Sequence, residues 1–145
     1  MFKRKIFIYS FILLIFIAIF NYIGLKFYWY WTYRWYDIPM HIAGGLWVSL
    51  FFLFLYDYFV TNFTIKNYKL KVFWVVFSVL LFITVSWEIF EVVGGINNLG
   101  DRGYWPDSLG DILNGFIGGM AGYFFFIKSK KCKIGIDCDI DNEEK

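Results

Sequence analysis

Six acidic side chains and the chain's only histidine fall in or beside apolar stretches. They are Asp37, His41, Glu88, Glu91, Asp107 and Asp111, with Asp101 in an adjoining loop and Asn114 one turn beyond Asp111. Carboxylates grouped with an imidazole can do two kinds of chemistry. They can hold a divalent cation: oxygen ligands suit Mg²⁺ and Mn²⁺, and one histidine admits Mn²⁺ or Zn²⁺. They can also exchange protons, one carboxyl staying protonated beside an ionised partner. The candidate ligands are Asp37, His41, Glu88, Glu91, Asp107 and Asp111, and the candidate catalytic groups are His41, Glu88 and Asp111. Arg34, Arg102 and Asn114 are the groups suited to contact an anionic substrate.

The elements that must position these residues cross a membrane. Of 145 residues, 59% are hydrophobic and 26% aromatic, too apolar for an ordinary soluble domain of this size. Four stretches reach the roughly 20 apolar residues that a bilayer core of about 30 Å demands: Ile6 to Ile23, Ile38 to Val60, Val72 to Val93 and Leu109 to Ile127. The expected fold is all-α, a polytopic bundle of four transmembrane helices over residues 1–127, followed by a short cytoplasmic tail over 128–145. Lys3, Arg4 and Lys5 give the first stretch the basic start of a secretory signal. Its long apolar run and the lack of a small-residue cleavage site predict an uncleaved anchor.

Lysine and arginine set the expected orientation, since cytoplasmic loops retain positive charge. Lys3, Arg4 and Lys5 precede the first span, Lys66, Lys69 and Lys71 separate the second from the third, and Lys128, Lys130, Lys131 and Lys133 follow the fourth. Lys26, Arg34 and Arg102 occupy the other side. Both termini are expected in the cytoplasm, and the connections Gly24 to Tyr36 and Gly94 to Ser108 outside it, in a multi-pass protein of the cell membrane. Cys132 and Cys138 then lie in a reducing compartment as free thiols, with palmitoylation as an alternative. Two cysteines are too few for a zinc site. The tail beyond them is polar and short, and is expected to be poorly ordered. The net charge of +2 is uninformative beside this asymmetry, and no nucleic-acid partner is expected.

The first span is nearly all Phe, Ile and Leu and is expected to anchor and shield. The loop from Phe27 to Tyr36 is dense in Trp and Tyr, whose rings favour the headgroup region; a stacking surface for lipid or sugar is the alternative. Asp37 and Pro39 supply helix-start chemistry, and His41, four residues after Asp37, shares its face. Asp57, near the other end of that helix, is expected at the interface facing the Lys66 to Lys71 loop. Glu88 lies about 10 Å inside the end of the third span, with Glu91 nearly above it. Asp107 and Asp111 share a face of the fourth helix, with Asn114 deeper on it. Gly115, Gly118, Gly119 and Gly122 follow as small-xxx-small pairs that let backbones approach closely, either inside the bundle or in a homo-oligomer.

Each polar residue also has a duller role. Asp37 suits an N-cap, and Ser108 with Asp111 matches the S-x-x-D capping box. His41 alone suits a hydrogen-bonded core histidine. Glu88 has no capping role, and at its depth it must be protonated, paired or bound to a cation. The expectation of a site rests on convergence, because three helix ends bring these groups to similar depth on one side.

The order and placement of three pieces resemble the VanZ-like superfamily of small bacterial membrane proteins, especially its YjdF-like branch. The pieces are Tyr36-Asp-Ile-Pro-Met-His-Ile-Ala-Gly-Gly45, then Trp87-Glu88 with Glu91, then Asp107-Ser-Leu-Gly-Asp-Ile-Leu-Asn114 with Gly118. The resemblance covers roughly residues 35 to 122. It implies a compact helical bundle and a link to the cell envelope, through a relative associated with glycopeptide resistance, without implying a reaction. Members of that superfamily often carry Gln or Arg after the third-helix acid, where this chain has Glu91.

Three functional classes follow. The leading one acts on or binds the phosphate-class headgroup of an envelope lipid, with a cation held by Glu88, Asp111 and His41 to polarise phosphoryl oxygens or activate water. No phosphatase signature accompanies it, and neither Ser86 nor Ser108 lies in a nucleophile elbow with His41. The second is a proton or ion pathway through Glu88 and His41, opposed by spans almost free of polar groups in their inner halves. The third is a structural subunit whose polar cluster locks helices together, a weak form of glue at well under 2 kcal/mol per bond. Membrane lipids are the expected partners in the first class.

Overall fold

A computed structural model describes residues 2–33, 35–60, 68–94 and 103–134. All regular structure among them is helical: α1 (Phe2–Lys26), α2 (Trp29–Thr32), α3 (Asp37–Val60), α4 (Tyr68–Val93) and α5 (Tyr104–Ile134). Four of these, all but α2, are long and apolar enough to cross a membrane, so the chain is a multi-pass membrane protein with an all-α four-helix bundle. Each helix starts earlier than hydropathy alone indicates. Capping residues and interfacial aromatics continue the hydrogen-bond ladder beyond the apolar run, as where the Asp107 amide bonds the Gly103 carbonyl at 3.2 Å. α5 is the longest at 31 residues, about 46 Å, and exceeds the hydrocarbon thickness.

The packing fixes a simple topology. α3 and α5 lie side by side and run the same way, because residues near their starts meet each other and residues further along do likewise. His41 faces Asp111, Ile42 faces Gly118, and Ser49 faces Gly122. α1 runs antiparallel along the other flank of α3, with the Phe7 and Phe54 rings 5.3 Å apart at one end. At the other end the Tyr36 hydroxyl donates to the Phe20 carbonyl at 2.7 Å. α4 runs antiparallel to α5, with Phe73 on Tyr123 at 5.9 Å and Phe77 on Phe116 at 5.3 Å.

Two glycines set the spacing of the central pair. A Cβ on Gly45 would strike the Gly115 carbonyl, and one on Gly118 would strike the Ile42 carbonyl, so the backbones of α3 and α5 touch at both positions. Gly119 takes the Leu80 side chain of α4 and Gly122 takes Ser49 of α3. The glycine faces of the fourth long helix are therefore occupied within the bundle, by the close backbone approach that small residues permit.

The apolar core, built from Val48, Leu53, Val72, Val76, Leu80, Tyr123 and Phe126 with Ile6 of α1, occupies the middle of the bundle and the end where α3 and α5 finish. Polar residues collect at the opposite end, where α3 and α5 begin and α4 finishes. Asp57, three residues from the end of α3, is buried, with 5% of its surface exposed. The Lys66 part of the loop it was expected to face lies outside the described residues. So do Asp101, the tail from residue 135 with Cys138, and the side chains of Lys3, Arg4, Lys5, Lys130, Lys131, Cys132 and Lys133.

Candidate functional site

Asp37 sits in the first turn of α3, where free amides favour a carboxylate, and one turn later His41 follows on the same face. The glycine contact between α3 and α5 then lays the start of α5 against this turn and delivers Asp111. His41 Nε2 lies 3.3 Å from Asp37 Oδ1 and 3.8 Å from Asp111 Oδ1. One ligand atom from each of the three residues falls within 4.8 Å of the others. Around an ion with bonds of about 2.1 Å, neighbouring ligand atoms are about 3.0 to 3.4 Å apart. The two histidine distances are therefore near a coordinating arrangement, and the set needs only modest closing.

Exposure is graded across the cluster. The side chain of Asp37 is 33% exposed, that of His41 15%, and that of Asp111 7%. The imidazole bridges a carboxylate near the bundle surface to one inside it. Asp37, Asp107 and Glu88 all act on Asp111 as like charges, with His41 as its counter-charge. Four carboxylates near a single imidazole leave excess negative charge, which a divalent cation would offset.

The remaining expected site residues divide. Glu91 is buried, and the Trp87 indole N–H donates to its Oε1 at 2.7 Å, turning it along α4. Glu88 is 7% exposed, and its Oε2 is buried without a hydrogen-bond partner. It lines a groove between α4 and α5 together with Ser108, whose Oγ is likewise buried and unpartnered. Asp107 is exposed in the first turn of α5, and Asn114 is half-buried one turn below Asp111. Arg34 and Arg102 lie outside the described residues. Of the six expected ligands, Asp37, His41 and Asp111 thus form one cluster, while Glu88 and Glu91 remain within its electrostatic reach.

Two contributors escaped the sequence reading. Trp87 and Glu91 stand four apart on a helix, a spacing that makes side chains neighbours and was available as a signal. Tyr30, assigned with its neighbours to an interfacial belt, lies on α2 within electrostatic reach of Asp37 and Glu91. Its hydroxyl donates to Asn21 Oδ1 at 2.8 Å, and its ring meets Tyr36 edge-on at 5.0 Å. Burial, then Asp37, Tyr36 and Glu91 beside it, push the Tyr30 phenol well above the ordinary tyrosine range. α2 itself starts from Tyr28 at φ 57°, a left-handed residue that reverses the chain after α1 and turns the aromatic loop back toward the site. Nothing in the local sequence announces that turn, since the position is not glycine.

No family model matches the chain, and neither a curated protein nor a solved structure matches it.

Proposed function

We propose that Asp37, His41 and Asp111 form a divalent-cation site at the extracytoplasmic face of the cell membrane, and that the cation presents a Lewis-acid centre to the phosphate-class headgroup of an envelope lipid. The observation that carries this reading is the three-residue cluster itself, one imidazole and two carboxylates within 4.8 Å, recruited from two helices at the end of the bundle where α3 and α5 begin. A nitrogen ligand with two oxygen ligands favours Mn²⁺ or Zn²⁺ over Mg²⁺. Bound there, the cation supplies polarisation of phosphoryl oxygens. The chain's own groups have simpler tasks: Asp37 and Asp111 would neutralise the ion, and His41 would supply the nitrogen ligand. Tyr30, kept a neutral phenol, lies within electrostatic reach of Asp37. The resemblance to VanZ-like proteins agrees with an envelope role. The positive charges flanking the spans support the same orientation, with both termini in the cytoplasm.

The experiment is metal analysis of the full chain purified in detergent and passed over a chelating resin, then titrated with Mn²⁺ and Zn²⁺. The native protein is expected to take up one ion per chain, while His41→Ala and Asp111→Asn take up none. Lipid profiles of cells expressing native and Asp111→Asn protein test the headgroup assignment, which fails if the profiles coincide where the native protein alters them.

A second reading has one observation in its favour. The exposure gradient from Asp37 through His41 to Asp111 is the arrangement of a short proton relay. Beyond Asp111 the core cluster around Leu80, Val76 and Phe126 is apolar, and Asn114, Ser49 and Asp57 are separate polar side chains, with no hydrogen bond among the described residues joining them to Asp111. The cation reading uses all three residues and needs no onward path.

A further inference from the structure

α1 supplies none of the clustered ligands, yet it grips the chain directly before the first of them. Asp37 opens α3, and Tyr36 is the residue flanking that first turn. Tyr36 is buried, and its hydroxyl donates to the Phe20 carbonyl of α1 at 2.7 Å. Tyr30 meets the Tyr36 ring edge-on at 5.0 Å, and its own hydroxyl donates to Asn21 Oδ1 at 2.8 Å. Gly24 gives both rings their room. A Cβ there would stand 2.5 Å from Tyr36 Cε1 and 2.9 Å from Tyr30 Cε2. Asn21 and Gly24 are three apart, so one face of α1 carries the attachment.

The attachment falls where a helix is weakest. The first amides of a helix have no intrahelical acceptor, and first turns open locally unless something outside holds them. Asp37 lies in that turn and is the most exposed of the three clustered groups, whereas His41 and Asp111 lie further along their helices. A metal ligand must keep its place to within about 0.2 Å. We propose that Tyr36, seated by Gly24 and braced by the bond from Tyr30 to Asn21, is a positioning residue for the cation site. It keeps the first turn of α3 wound and so keeps Asp37 Oδ1 beside His41 Nε2. The inference rests on the cation reading of Asp37, His41 and Asp111, and it gives α1 a part in that site.

A purely stabilising bond is the rival account, and the protein contains a control for it. Tyr123 also donates its hydroxyl to a backbone carbonyl, that of Lys69 at 3.2 Å, at the opposite end of the bundle. The test compares the full native chain with Tyr36→Phe, Gly24→Ala and Tyr123→Phe, in detergent and stripped of metal. Hydrogen exchange of the peptide carrying His41 and Ile42 is read by mass spectrometry, and Mn²⁺ affinity by calorimetry. Tyr36→Phe is expected to exchange there about fivefold faster, the factor set by one ordinary hydrogen bond, and to lose up to about fivefold in affinity. Gly24→Ala improves the helix propensity of α1 but displaces both rings, and is expected to cost about tenfold or more in affinity. Tyr123→Phe is expected to keep native exchange at this peptide and native affinity, although it lowers the unfolding temperature. Mn²⁺ uptake by the native chain with unchanged affinity in both Tyr36→Phe and Gly24→Ala overturns this inference alone. So does unchanged exchange at His41 and Ile42 in both, or an equal loss of affinity in Tyr123→Phe. No uptake by the native chain overturns the cation reading, and this inference with it.

Discussion

His41 and Asp111 face each other across the α3–α5 seam with 3.8 Å between Nε2 and Oδ1, and Asp37 Oδ1 lies 3.3 Å from the same nitrogen. A cation bound here depends on those three groups and not on Glu88, whose Oε2 is buried without a hydrogen-bond partner. Replacing one ligand is expected to weaken binding by at least about 100-fold, the upper range seen for changes one shell further out. Calorimetric titration with Mn²⁺ or Zn²⁺ should therefore rank Asp37→Asn, His41→Ala and Asp111→Asn together as severe, with Glu88→Gln close to native. Equal loss in Glu88→Gln would move the centre of the site onto α4.

The seam itself can be tested with four glycines that differ only in what lies opposite. Gly45 and Gly118 abut backbone carbonyls of the facing helix, whereas Gly44 and Gly110 have open space where a Cβ would go. Gly45→Ala and Gly118→Ala force α3 away from α5 and are expected to lower stability by about 1–3 kcal/mol, the usual cost of overpacking. Gly44→Ala and Gly110→Ala are expected to be neutral or to stabilise by up to about 1 kcal/mol through helix propensity. Thermal unfolding in detergent distinguishes the pairs. Because the seam sets the His41–Asp111 distance, Gly118→Ala should also lose cation affinity while Gly110→Ala keeps it.

How much of this was legible in the sequence differs by residue. The four spans were, because apolar length is a property of the chain alone and the bilayer fixes what length is needed. The face shared by Asp37 and His41 followed from helical spacing. The meeting of that pair with Asp111 followed only in outline, since both helix starts were placed on one side of the membrane. Which carboxylates would turn into a common centre was not legible. Glu91 is taken up by Trp87, and Glu88 is buried between α4 and α5, because α4 meets the α3–α5 pair at a rotation that no local pattern encodes. The glycines announced close packing without naming the neighbour, and the structure uses them against α3 and α4. Tyr30 was hidden by composition, one aromatic among many in its loop, and only the reversal at Tyr28 brings it near the site.

Tyr30 gives a prediction in pH. Its folded-state pKa lies above the ordinary tyrosine value, first because of burial and then because of Asp37, Tyr36 and Glu91. A raised acid favours the protonated folded state, so its contribution is complete below the unfolded pKa near 10 and is lost as pH rises beyond that value toward the folded one. Ultraviolet titration of native protein minus Tyr30→Phe should show the missing phenolate ionising later than the other tyrosines. Unfolding midpoints should converge for the two proteins as pH rises above about 10. A difference spectrum that titrates with the bulk of the tyrosines would show that Tyr30 is not held apart from solvent and from the acidic groups near it.

Trp87 and Glu91 offer the cleanest pairwise measurement. The indole N–H is 2.7 Å from a carboxyl oxygen that is buried, although the indole itself is half exposed. Trp87→Phe keeps most of the ring and removes the donor, taking from Oε1 its indole partner in a poorly solvated place. The expected cost is about 1–3 kcal/mol, above the typical worth of a matched bond, because the acceptor stays behind. Glu91→Leu removes the acceptor, and in that background Trp87→Phe should cost little. The double-mutant cycle therefore predicts a positive coupling of at least about 1 kcal/mol between neighbours that share one bond. Additive effects would mean that the indole packs against α4 without positioning Glu91. With coupling confirmed, cation titration of Trp87→Phe tells whether loss of the indole bond at Glu91 alters the affinity of a site that Glu91 does not itself complete.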